Sequence, residues 1–154
     1  MSRELDQTDR RILRELQASG RLSIVDLAER VNLTKTPCSE RVRRLEKAGV
    51  ISEYRAVVSP LSVGLNHLTV VHIDLTQTSQ NSLEDFSRAV MDIPEVEGCY
   101  LIAGSFDFML KVRTRDITHY RELLGDEISK LPGVKQTHSF AVMETVKESH
   151  FIDV

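Results

Sequence analysis

The chain has 154 residues, a formal net charge of −3, 41% hydrophobic and 28% charged residues, totals that exclude wholesale disorder and collagen-like repetition. No window approaches 18 consecutive apolar residues, and Met1-Ser2-Arg3-Glu4 leads into no apolar stretch, so neither a membrane span nor secretion is expected. Cys38 and Cys99 lie 61 positions apart without a CxxC spacing, which argues against a disulfide framework or a zinc site and for a reducing cytoplasm.

The charge is unevenly placed. Residues 1–60 carry twelve Lys and Arg against nine Asp and Glu, a net of +3, and residues 61–154 carry eight against fourteen, a net of −6. Two units with different partners are expected, 1–60 and 61–154, with Ser59-Pro60 as the boundary and the basic unit suited to an anionic ligand.

Asp6-Gln7-Thr8-Asp9 opens a first helix whose apolar stripe is Ile12, Leu13 and Leu16, with Gly20 as its stop. Ser23, followed three residues on by Asp26, caps a second helix carrying Leu27, Ala28 and Val31. After the turn Asn32-Leu33-Thr34, Thr34 is a natural cap for a third helix from Lys35 to Ala48, with Pro37 in its first turn and Gly49 as its stop. Cys38, Val42 and Leu45 face inward, and Cys38 reads as a small hydrophobe. Thr36, Ser39, Glu40, Arg43 and Lys47 share the opposite face, with Arg41 and Arg44 on its flanks.

Two short helices joined by such a turn form a helix-turn-helix, whose second helix presents donors to base edges and phosphates. The DNA-contacting candidates are Lys35, Thr36, Ser39, Glu40, Arg41, Arg43, Arg44 and Lys47. Arg43 is suited to a guanine edge, and Arg41, Arg44 and Lys47 to phosphates. The plainer alternative is a solvated, salt-bridged helix of a small bundle. Val50-Ile51 and Arg55–Val58 read as an extended segment leaving the domain, a candidate wing.

The second half repeats itself at an offset of 38 residues, Ile93-Pro94-Glu95-Val96 on Leu131-Pro132-Gly133-Val134. Strands are expected at 68–75, 96–103, 107–113 and 134–144, and helices at 82–93 and 117–130. The fold class is therefore α+β, a helix-turn-helix domain followed by a ferredoxin-like βαββαβ domain. Strand residues are apolar at both parities, as in Val70 and Val71, Tyr100 and Leu101, Leu110 and Met109, or Phe140 and Ala141. The open sheet face is thus expected to need a cover, most simply a second copy of the chain. Gly125, inside the second of these helices, is read as a point of close packing.

No catalytic constellation is present, and His67, His72, His119, His138 and His150 have no metal-ligand spacing, so neither an enzyme nor a cofactor is expected. His72 and His138 read as half-buried sheet residues. In the loop Ala103-Gly104-Ser105-Phe106-Asp107-Phe108, backbone N–H groups beside a fixed carboxylate are able to hold a zwitterion. The plainer reading of the same loop is a hairpin turn with Asp107 capping its own backbone.

The run Val31–Cys38 followed by Glu40–Ile51 resembles the recognition-helix signature of the Lrp/AsnC (feast/famine) transcription regulators. Ala103–Phe108 and Leu131–Val134 resemble the effector domain of that family. Within it the chain is most similar to the leucine-responsive branch, through Thr36-Pro37-Cys38 and Phe140–Glu144. The resemblance implies a cytoplasmic, nucleoid-associated bacterial or archaeal regulator that binds double-stranded DNA. It also implies homodimers built through the C-terminal sheets, higher assemblies such as octamers, and a free amino acid as effector in place of a cofactor. Gly104 and Asp107 match the glycine and acid of the family's effector loop, which also contains Ser105 and Phe106. Tyr100, Ile117, Phe140, Ala141 and Val142 align with positions linked to leucine response. Ser105 stands where close relatives often carry an acid, and Ala141 where a larger apolar residue is common, so leucine itself is not implied. The competing function is an amino-acid-binding module that acts through protein association, its front helices never touching DNA.

Overall fold

The computed structural model describes residues 5–154, and its first helix, α1 (Gln7–Ala18), starts on the expected acidic pair. Asp6 accepts a hydrogen bond from the Asp9 N–H at 2.8 Å, and the Asp9 carboxylate accepts one from the Asp6 N–H at 3.4 Å, a reciprocal cap of the free amides at a helix start. Helix α2 (Ile24–Arg30) is capped by Ser23, whose hydroxyl accepts from the Asp26 N–H at 3.1 Å. Asn32, at a φ of 57°, makes the left-handed turn into α3 (Lys35–Lys47).

Thr34 holds the N-cap position of α3 but its side chain caps nothing, contrary to expectation. A capping hydroxyl meets the N–H two or three residues on, and the farther of these is Pro37, which has none, so half of the cap's partners are missing. The other end follows the sequence closely. Val50 N–H donates to the Leu45 carbonyl and Gly49 N–H to that of Glu46, both at 3.0 Å, around Gly49 at a φ of 70°. This crossed pair of bonds requires the left-handed conformation that glycine adopts without strain.

Ile12, Leu13, Leu27, Ala28, Val31, Cys38, Val42 and Leu45 close a small core. A charged clamp lies beside it. Asp9, only 2% exposed, accepts from Arg41 at 2.8 Å and from Arg44 at 2.6 Å, while Arg41 also donates to Asp6 at 2.6 Å. The Arg41 guanidinium, helped by the Asp9 N–H, holds the Asp6 carboxyl below its ordinary value. Residues 52–59 form no strand, so the expected wing is an irregular segment.

The two compact units differ from the expected 1–60 and 61–154. Lys147–Val154 group with the residues up to Val57, and Val58–Val146 make the other unit. The reason is local. The Gln17 side-chain amide donates to the Ile152 carbonyl at 2.9 Å and accepts its N–H at 2.7 Å, and Val154 packs on the helical core.

The second unit has the expected βαββαβ order: β1 (His67–Leu75), α4 (Gln80–Val90), β2 (Val96–Leu101), β3 (Phe108–Thr114), α5 (Ile117–Asp126) and β4 (Val134–Ala141). Its antiparallel sheet runs β2-β3-β1-β4, the ferredoxin-like arrangement. Val71, Ile73 and Leu75 of β1 and Phe108, Leu110 and Val112 of β3 face the helices, meeting Phe86, Val90, Tyr120, Leu123 and Ile128. By alternation the other face carries Val70, Met109, Tyr100 and Phe140, together with His72, Lys111, Arg113 and His138. It is therefore half polar, not apolar throughout as expected. Apolar residues at both parities include Leu101 and Ala141, which lie on the helix side near strand ends, both exposed. The strand β4 stops at Ala141, short of the expected 144.

Gly125 has open space where a Cβ would sit, so close packing does not explain it. It lies in the last turn of α5, beside the 3-10 turn Ile128–Lys130. Gly125→Ala should raise stability by up to about 1 kcal/mol through helix propensity alone, read as a higher thermal midpoint. A second measurement concerns Asp6. Its folded-state pKa is depressed below the ordinary value of an aspartate, so its contribution is present above that value and is lost as pH falls through the lower one. Asp6→Asn should therefore lower the urea midpoint at neutral pH, and the gap to the parent chain should close as the pH falls through the lowered value, where both carry an uncharged group.

Candidate functional site

The outward face of α3 is available for contact. Lys35, Thr36, Ser39, Glu40, Arg43 and Lys47 are all exposed, and among the described residues their side chains make no hydrogen bond or ion pair. Core contacts of Cys38, Val42 and Leu45 turn this face outward. Arg43, Ser39 and Thr36 have the donors that base edges accept, and Lys35 and Lys47 the charges that phosphates attract. Arg41 and Arg44, expected on the flanks of this face, differ from these six in being paired. Their guanidiniums are turned onto Asp6 and Asp9, where bonds to both carboxylates push the Arg41 pKa up. A phosphate would have to compete with a buried carboxylate for each of them.

Asp9 itself is a residue that sequence reading treated only as a cap. Its phase held the missing signal, since Asp9 precedes Ile12 and Leu13 by three and four residues and so falls on the inward stripe. A charge in that position needs a partner from a neighbouring element.

The loop between β2 and β3 departs from the plainer of its two expected readings. Asp107 does not cap its own backbone. Its Oδ2 accepts the Leu75 N–H at 2.7 Å, its N–H donates to the Ile73 carbonyl at 2.9 Å, and its carbonyl accepts the Ile102 N–H at 2.8 Å. The loop is thus tied to the end of β1. Gly104 and Ser105 are exposed, and among the described residues their N–H groups donate to nothing. A Cβ at Gly104 would stand 3.3 Å from the Ile102 side chain, a contact that a small adjustment relieves.

Phe106 leaves the loop and stacks on His72, with ring centroids 3.7 Å apart and planes 13° apart, and Phe140 meets the same imidazole at 4.7 Å. His72 is half-buried, as expected, and is the piece that joins the loop to the open sheet face. Tyr100 lies one strand beyond, on β2, paired with the Met109 that also pairs with His72, and its ring covers Gly98, where a Cβ would come within 2.9 Å of it. Ile117, Ala141 and Val142 are elsewhere. Ala141 pairs with Thr69, Val142 N–H donates to the Leu68 carbonyl, and Ile117 follows the end of β3, which pairs with His67. The loop sits instead at Ile73, four residues along β1, or about 13 Å. One chain therefore gathers Tyr100, Gly104, Ser105, Phe106, Asp107 and Phe140 at one end and leaves the other three apart.

Two shallow cavities lie away from that loop. One, of about 240 Å³, is lined by Leu65, Pro94, Glu95, Glu97, Arg113 and His119, and its neighbour of about 190 Å³ shares Glu95 and His119. Their charges answer one another. Glu97 sits in a β-bulge against Arg113 and 3.2 Å from Lys111, and Glu95 is 3.5 Å from His119. Burial pushes the Glu97 carboxyl up, but the bonds from Arg113 and Lys111 outweigh it and hold the group below its ordinary value. Among the described residues no group of three His, Cys, Asp or Glu is placed to hold a metal. Burial pushes both Cys38 and Cys99 thiols up, away from the reactive thiolate. No helix among the described residues is long and apolar enough to cross a membrane.

Residues 5–52 match the winged helix-turn-helix DNA-binding model, and residues 68–151 the Lrp/AsnC ligand-binding domain model. The chain is 49% identical over 146 residues to a proline dehydrogenase transcriptional activator of Rhodobacter capsulatus, covering 95% of each chain. It is 45% identical to the leucine-responsive regulatory protein of Escherichia coli K12, covering 96% of this chain and 90% of that one. Among solved structures it is similar to a Neisseria meningitidis transcriptional regulator in complex with L-Met, at a TM-score of 0.90 and 33% identity over 96% of this chain and 95% of that one. A feast or famine regulatory protein of M. tuberculosis complexed with L-methionine gives the same score and identity, over 98% of this chain and 100% of that one. With both of its halves matched in order, the chain belongs to the Lrp/AsnC family of transcription regulators, a winged helix-turn-helix DNA-binding domain followed by an Lrp/AsnC ligand-binding domain.

Proposed function

We propose that this regulator reads DNA with the outward face of α3 and answers to a free amino acid bound at the Gly104–Asp107 loop. The observation that carries the first part is the row of donors Thr36, Ser39, Arg43 and Lys47, unpaired among the described residues, on a helix whose other side is fixed in the core. Arg43 reads a base edge and Lys47 meets phosphate. The chain acts by binding, not by catalysis, in the cytoplasm and in association with the nucleoid.

The amino-acid part is supported by the chemistry of the loop and by the two relatives whose solved structures hold L-Met. The free N–H groups of Gly104 and Ser105 suit a carboxylate, and the second oxygen of Asp107 suits an ammonium. Ile117, Ala141 and Val142, distant in one chain, supply the apolar slot when a second copy brings that end of its sheet to this loop. The assembly is a homodimer through the open sheet faces and higher forms such as an octamer, and ligand binding between copies biases that assembly.

Arg43→Ala should cost about 1–3 kcal/mol on a duplex selected by the parent chain and relax base preference, whereas Lys47→Ala should weaken selected and random duplexes alike. Unaltered preference in Arg43→Ala would remove this face from the groove. For the ligand, Asp107→Asn is the informative variant, because the amide oxygen still accepts the Leu75 N–H while the charge is gone. Titration calorimetry against a panel of amino acids should show binding in the parent and none in Asp107→Asn, with the circular dichroism melt retained. Equal affinity in the two would leave the loop with a structural role only.

A further inference from the structure

On the reading that α3 enters the major groove, we propose that Asp9 is a positioning residue for DNA recognition, its carboxylate setting the roll of α3 by holding Arg41 and Arg44 on the side away from the bases. The core contacts of α3 are apolar and non-directional, and such contacts tolerate small rotations and slips. The clamp adds direction. Asp9 Oδ1 accepts from Arg41 Nη1 at 2.8 Å and from Arg44 Nη2 at 2.6 Å, and Oδ2 accepts from the same Arg44 nitrogen at 2.6 Å. Asp6 Oδ2 accepts from Arg41 at 2.6 Å, so two carboxylates and two guanidiniums form a closed, neutral set. The Asp9 side chain is 3% exposed, so water cannot replace the arginines.

Arg41 and Arg44 are three residues apart on α3, and Arg43 stands between them in sequence. Each residue of a helix turns the side chain by about 100°, so fixing the directions of Arg41 and Arg44 fixes where Arg43 points. The structure thereby divides four cations of one helix into two kinds, Arg43 and Lys47 for DNA and Arg41 and Arg44 for the frame. Their sequence run alone does not separate them.

The division has a signature in salt dependence. Each phosphate contact adds about 0.9 to the slope of log affinity against log salt concentration, while a residue that acts through α3 alone adds none. The test uses the full chain and two duplexes of equal length, one selected by the parent chain from a random pool and one of random sequence, titrated by fluorescence anisotropy across a sodium chloride series. Asp9→Asn should lower the ratio of selected to random affinity by about fivefold or more, the smaller end of one base contact. Its random-duplex affinity should hold or rise, since two guanidiniums are released. Arg44→Ala should lower the same ratio with its salt slope unchanged.

A folded Asp9→Asn chain that keeps the parent ratio would overturn the proposal. So would a slope reduced by about 0.9 in Arg44→Ala, which marks a phosphate ligand; this arm decides the matter alone if Asp9→Asn does not fold. Failure of the underlying reading looks different. There Arg43→Ala also leaves the ratio untouched, and the proposal falls with the recognition helix itself.

Discussion

A carboxylate taken out of water must be met by donors from its own protein, and the elements that supply those donors are then no longer free to move. In the helical unit that carboxylate is Asp9, and its donors come from α3, the helix whose outer face is proposed to meet DNA. In the sheet unit it is Asp107, half-buried, which accepts the Leu75 N–H and so ties the loop before β3 to β1. The two units share no fold, yet each holds its exposed working segment to the element behind it through one aspartate. Apolar packing supplies most of the stability in both. The aspartates supply direction, which packing alone specifies weakly.

This has a consequence for the loop chemistry. In the proposed complex a ligand ammonium and the Leu75 N–H draw on the same carboxylate, through different oxygens. Binding there would polarise a hydrogen bond at the end of the central strand, next to the Phe106, His72 and Phe140 rings. The physical route from ligand to open face is short, one side chain and one stacked pair. That face is where a second copy is proposed to sit, so loop and assembly are coupled by contact and need no long path.

Much of the fold is legible in the chain because it rests on local rules. The capping pairs Asp6/Asp9 and Ser23/Asp26, the Gly49 stop and the offset of 38 each depend on residues a few positions apart or on simple repetition. Most of the misreadings need a third dimension, and Thr34 is the exception. Thr34 fails as a cap because of Pro37, a local effect that the cap rule does not include. Arg41 and Arg44 look like Arg43 until α1 is folded against them. Val154 and Ile152 look like the end of the sheet unit until Gln17 captures the backbone. Ala141, read with Phe140 as evidence of a doubly apolar strand, lies at the end where β4 leaves the sheet. At the site the residues of the loop were legible and their partners were not, because register decides that Ile117, Ala141 and Val142 sit at the far end of β1.

Reassigning two arginines also changes how the chain must hold DNA. With Arg41 and Arg44 internally neutralised, α3 offers Lys35, Arg43 and Lys47 against two acids, Glu40 and Glu46, in a protein whose formal net charge is −3. Counterion release by so few cations gives a shallow salt dependence and modest affinity for a single copy. A second copy linked through its sheet doubles the contacts while the cost of bringing the second helix to the duplex falls to that of an intramolecular step. Affinity then depends on assembly more steeply than on any one contact. A ligand that binds between copies can thus alter DNA occupancy without touching α3, which is the economy that places the ligand loop and the reading helix in different units.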